Sequence, residues 1–171
     1  MTMSETTRRT WIALGPTETL FAAAYPVGVL LALPFVDERD TWEALGAFLW
    51  LLLAGALAVA VGIPLAVHTV GRYTARFTEE WSTMRASVAH LVVGLGMGAL
   101  AAALLVLLGS VPMPAAALAL VLPSGVAALG TYLLMPLALR HQWIRIAAWV
   151  LGGGPVALAL ALWPAAIFGY S

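Results

Sequence analysis

Five apolar stretches, separated by short polar segments, leave this chain almost no way to fold in water. They cover roughly residues 17–36, 43–70, 87–109, 114–139 and 144–169. Each approaches or exceeds the ~20 residues that a helix rising 1.5 Å per residue needs to cross a bilayer. The longest polar insert, Arg72 to Arg85, is too short to fold as a domain of its own. Only 9% of the 171 residues are charged and the mean hydropathy is +0.98; soluble domains carry roughly 25% charge. The sequence therefore predicts an all-α integral membrane bundle of five transmembrane helices in a single domain spanning 1–171.

The basic residues set an orientation. All eight are arginine. Seven fall in alternate segments: Arg8 and Arg9 before the first run, Arg72, Arg76 and Arg85 after the second, Arg140 and Arg145 after the fourth. Arg39 stands alone on the other side, among Asp37, Glu38 and Asp40. By the positive-inside rule the N-terminus lies in the cytoplasm and the C-terminus outside. Trp11, Trp42, Trp81, Trp143 and Tyr170 sit near the expected interfaces, where amphipathic rings are enriched. The Arg8-Arg9 pair ahead of an apolar run resembles a signal peptide, but Gly15-Pro16 interrupts that run, and the segment is read as a retained span. The absence of lysine with abundant Ala and Gly suggests a GC-rich bacterial genome, and hence a plasma membrane. Net charge is zero, which gives no field to attract nucleic acid.

Within the second loop, Tyr73, Phe77 and Trp81 recur every fourth residue, with Met84 near the same face. That stripe predicts a short amphipathic helix over 72–85, lying in the headgroup layer. Arg72, Arg76 and Arg140 are candidate contacts for lipid phosphate.

Helix-weakening residues recur at one depth. Pro123-Ser124-Gly125 lies about 13 Å into the fourth run by helical rise, and Gly152-Gly153-Gly154-Pro155 at a similar depth in the fifth. Gly94, Gly96 and Gly98 occupy that level in the third. Two readings fit these positions. Broken half-helices could aim backbone dipoles and carbonyls at a solute, making Pro123, Ser124, Gly125, Gly152, Gly153 and Gly154 a binding site. Alternatively, small residues let helix backbones approach closely. No ionisable residue is expected at that depth: Glu18 would be buried in a span beginning at Trp11, but it is read as a first-turn carboxylate of a helix starting at Pro16-Thr17, where proline and negative charge are both favoured.

His68 and His90 lie at equal expected depth on antiparallel neighbours, which suits a haem iron clamped between imidazoles, or a quinone. There is no cysteine, and no nucleotide-binding loop, zinc-protease motif or nucleophile–His–acid pattern occurs. The expectation is a non-enzymatic membrane subunit that packs against other membrane chains or copies of itself, as an accessory component of a complex or a transporter component. The alternatives are a self-sufficient small-solute transporter or channel, and a redox subunit using His68 and His90. No pattern names a cofactor or a metal.

Overall fold

A computed structural model describes residues 5–36, 41–109 and 111–151. Every regular element among them is helical. Helix α1 spans Glu5–Ala32 and ends in a 3-10 turn at Leu33–Phe35. Next, α2 (Thr41–Leu57), α3 (Ile63–Ala66) and α4 (Arg72–Phe77) are joined by two π-helical stretches, Ala58–Gly62 and Val67–Gly71, into one uninterrupted rod. Helices α5 (Thr83–Leu108) and α6 (Met113–Arg140) follow, and a further helix, α7, is described over 142–151. Four helices are long and apolar enough to cross a membrane: 7–35, 42–77, 83–108 and 113–140. The remainder of the fifth apolar run, including Gly152, Gly153 and Gly154, lies outside the described residues.

Helix α6 is the centre of the bundle, with α1 packed on one side and α5 on the other. The contacts depend on residues without a side chain. A Cβ placed on Gly98 would lie 2.7 Å from both the Leu120 carbonyl oxygen and the Val121 Cα, and one on Gly94 would lie 2.6 Å from the Ser124 carbonyl oxygen. On the opposite side of α6, a Cβ on Gly28 of α1 would come within 2.6 Å of the Leu118 carbonyl oxygen. Backbone meets backbone at these positions, which gives dispersion contact where lipid supplies no hydrophobic drive between helices. Gly96, between the two α5 glycines, faces open space instead.

These contacts also fix direction. Gly94 and Gly98 meet progressively earlier residues of α6, so α5 and α6 are antiparallel. Thr17 meets Thr131 while Gly28 meets Leu118 and Ala119, so α1 and α6 are antiparallel too. Trp11 packs on His68, and Tyr25 bonds to Leu51, which sets α1 antiparallel to the rod. The start of α1, the 78–82 turn with the helix ends that flank it, and the α6–α7 junction therefore share one end of the bundle. Seven of the eight arginines lie in or beside these segments.

Three sequence expectations change. The helix expected to begin at Pro16 begins at Glu5 and runs through Pro16 and Pro26. Buried Ile12 and Leu14 stabilise the earlier turns, and the Thr17 and Thr19 hydroxyls bond to carbonyls around the proline, a common way of accommodating proline in a membrane helix. The 72–85 segment is not a helix of its own. Its first half continues the rod, a turn occupies 78–82, and α5 starts at Thr83. Continuing a formed helix adds a hydrogen bond per residue, whereas starting a new one is costly. Finally, α6 is unbroken through Pro123-Ser124-Gly125, and α5 is unbroken through its three glycines.

The two α5 glycine environments predict opposite outcomes. Gly98→Ala should destabilise the protein by about 1–3 kcal/mol, the cost of overpacking a close contact, because the obstructing atoms are backbone. Gly96→Ala should be neutral. Thermal loss of the monodisperse peak in detergent would compare them.

Candidate functional site

The polar chemistry of the bundle interior collects on one turn of α1, Thr17-Glu18-Thr19. Successive residues on a helix point about 100° apart, so these three side chains face different neighbours. Thr17 faces α6. Its hydroxyl donates its single proton to the Ala13 carbonyl at 2.8 Å, so in the 2.9 Å contact with Thr131 the Thr131 hydroxyl is the donor. Thr19 faces α7, and its hydroxyl lies 2.9 Å from the Gly15 carbonyl oxygen and 2.5 Å from that of Ala148. Both threonines thus join helices while their hydrogen-bonding needs are met locally.

Glu18 differs. The residue as a whole is only 6% exposed, and no hydrogen bond or ion pair ties it to another described residue; its carboxyl is not sealed off, since no side-chain oxygen among the described residues is both fully enclosed and unpartnered. It lies nine residues beyond Arg9, about 14 Å along the helix, and near the middle of the apolar helix that runs from Thr7 to Phe35. The other acidic residues are at the start of α1 or α2 (Glu5, Glu43), in the 78–82 turn (Glu79, Glu80) or in the segment 37–40. Placing an acidic or basic side chain at the centre of a membrane helix costs roughly 2.5–3.5 kcal/mol on insertion scales, and such residues mark ion paths and proton relays. The sequence leaves Glu18 two positions, buried if the span begins at Trp11 and in the first turn if the helix begins at Pro16, and the second is preferred because proline favours a helix start. The helix begins at Glu5 instead, and Glu18 falls well inside it.

The wall opposite Glu18 follows from register. Trp11, Glu18 and Tyr25 are seven residues apart and share one face of α1. Trp11 meets His68 with ring centroids 4.9 Å apart, and the Tyr25 hydroxyl donates to the Leu51 carbonyl. Interpolating between those contacts puts Glu18 level with the π-helical stretch Ala58–Gly62 and the following Pro64. Both flanking elements pack against α1, and Val59 and Ile63 are buried there. Pro64 has no N–H for the carbonyl of Ala60, four residues earlier. A single π turn inside an α-helix is a frequent mark of function.

The remaining candidates are placed as follows. Pro123 and Gly125 are buried and Ser124 is half-buried, all in helix–helix contact: Pro123 against Gly28, Ser124 against Gly94 and Gly98, Gly125 against Leu95. His68 and His90 are not brought together. His68 Nδ1 donates to the Pro64 carbonyl at 2.9 Å and its ring packs edge-on to Trp11. His90 Nδ1 donates to the Ala86 carbonyl at 2.9 Å and its ring stacks on Tyr132 of α6 at 4.5 Å. A clamp on one iron would require both rings to leave these partners. Arg72, Arg76 and Arg140 are exposed at the arginine-bearing end. Among the described residues no three His, Asp or Glu side chains gather as metal ligands.

The threonine bridge gives a measurable expectation. Thr131→Val keeps the shape and removes the donor, so it should cost about 0.6 kcal/mol, the average for such bonds in membrane proteins, read as a small fall in detergent melting temperature. A loss several times larger would show that Thr131 does more than bridge two helices. In the comparisons with known proteins, no family model, curated protein or solved structure matches the chain.

Proposed function

We propose that this chain is a small transporter-like membrane protomer in which Glu18 carries a proton across the middle of the bilayer. The observation that carries the reading is an acidic residue, only 6% exposed, near the middle of an apolar helix long enough to span a membrane, with no cation beside it among the described residues. A carboxyl at that depth is tolerated as the neutral acid or with a counter-charge, and exchanging one condition for the other is the elementary step of proton coupling. The neighbouring π turn and Pro64 supply a wall of backbone carbonyls that could accept the acid's proton. No motif for nucleotide-driven transport occurs in the sequence, which favours an ion gradient as the energy source and a non-enzymatic role.

In this reading the chain crosses a bacterial plasma membrane five times, N-terminus inside and C-terminus outside. The gathering of the Arg-bearing segments at one end of the bundle supports that orientation through the positive-inside rule. Reporter fusions to the two termini should give opposite compartments; matching compartments would overturn the five-span topology.

A second reading, an accessory subunit of a membrane complex or a homo-oligomer, is favoured by Gly96. Its face of α5 is open and is continued by exposed Ala99, a surface of the kind that suits close approach of another membrane helix. Native mass in detergent separates a lone protomer from an assembly.

Proton carriage is tested in liposomes that enclose a pH-sensitive dye and are energised by a valinomycin-clamped potassium potential. Wild-type protein should acidify the interior faster than empty liposomes do. Glu18→Gln should fall to the empty-liposome rate and Glu18→Asp should lie between them. Equal rates for Gln and wild type would remove Glu18 from the path.

A further inference from the structure

Where α4 ends and α5 begins, the two helices diverge from the 78–82 turn and leave a groove of about 960 Å³. Its geometry starts with Thr78, which is buried and donates its hydroxyl to the Thr74 carbonyl at 2.9 Å, closing the corner of the turn. Phe77 and Trp81 pack edge to face across that turn, with centroids 5.1 Å apart, and form the aromatic rim. Below them the walls are apolar: Val88, Val92 and Val93 of α5. Among the described residues, the single charged side chain lining the groove is Arg85. Glu79 and Glu80, the carboxylates of the turn, do not line it.

The polarity runs in one direction. Arg85 stands at the mouth, beside Tyr73, Phe77 and Trp81. Val92 lies seven residues further along α5, about 10 Å deeper. A ligand that fits has an anionic head, an amphipathic neck at the level of the aromatic rings, and an apolar tail. In a bilayer the species that meets this surface with that pattern is a phospholipid. The guanidinium can hold a phosphate through two parallel hydrogen bonds. We propose that the groove binds one anionic phospholipid, with its phosphate on Arg85 and an acyl chain along Val88, Val92 and Val93. The site is independent of Glu18 and of the transport reading.

Native mass spectrometry of the full chain, titrated with phosphatidylglycerol or phosphatidylcholine, tests the site. Wild type should retain one phosphatidylglycerol per chain with roughly fivefold preference, the discrimination expected of one arginine near a charged membrane surface. Arg85→Gln should abolish the preference while leaving residual binding of both lipids. Val92→Trp, which fills the groove at an exposed position, should remove retention of both. Arg140→Gln, at the same end but outside the groove, should leave the preference intact. An unchanged preference in Arg85→Gln, or its equal loss in Arg140→Gln, would overturn the assignment. So would a dimer that Val92→Trp dissociates, which would make a second copy the occupant.

Discussion

Helices immersed in hydrocarbon gain nothing from hiding apolar surface, because the solvent is as apolar as they are. They hold together where their backbones come close enough for dispersion contact and an occasional hydrogen bond to accumulate. In this protein that closeness is concentrated on α6. Gly28 brings α1 onto one side of it, and Gly94 and Gly98 bring α5 onto the other. The antiparallel order follows from those two seams, and with it the gathering of the N-terminus, the 78–82 turn and the α6–α7 junction. The packing of the fold thus brings together the segments in and beside which the sequence concentrates its arginines.

On that scaffold the interior polar groups divide into two kinds. Thr17, Thr19, Thr131 and Tyr25 each reach a nearby acceptor, and together they tie α1 to three neighbours, α6, α7 and α2. They account for the position of α1 without invoking any further role. Among the described residues Glu18 has none of these attachments. A chain selected only for packing would carry leucine or alanine there, since both insert without the penalty of a carboxyl group. The contrast between the bonded hydroxyls and the acid on the same helical turn is what motivates the proposed role of Glu18.

Much of this was readable from residue order alone. The first four apolar runs specified helices because each is long enough to cross a bilayer. Other features needed three dimensions. Pro16 and Pro123 are compatible with a helix end or with a helix that continues, and the decision lies with what packs around them: Ile12 and Leu14 for the first, Gly28 for the second. The alternation Gly94, Gly96, Gly98 could not reveal that the outer pair is used inside the bundle while the middle one faces out. Depth arguments placed His68 and His90 at one level but carried no information on rotation about each helix axis. That rotation sends one ring to Trp11 and the other to Tyr132. The π-helical stretches around Pro64 leave no signature in composition.

The uninterrupted rod from residue 42 to 77 has a last consequence. At 1.5 Å per residue its 36 residues extend to about 54 Å, against an acyl interior of about 30 Å. Such a mismatch is absorbed by leaning or by protrusion at the ends. The first π turn lies at the rod's midpoint, level with Glu18. Bilayer thickness therefore sets how far the rod leans: a thinner membrane lays it over and a thicker one stands it up.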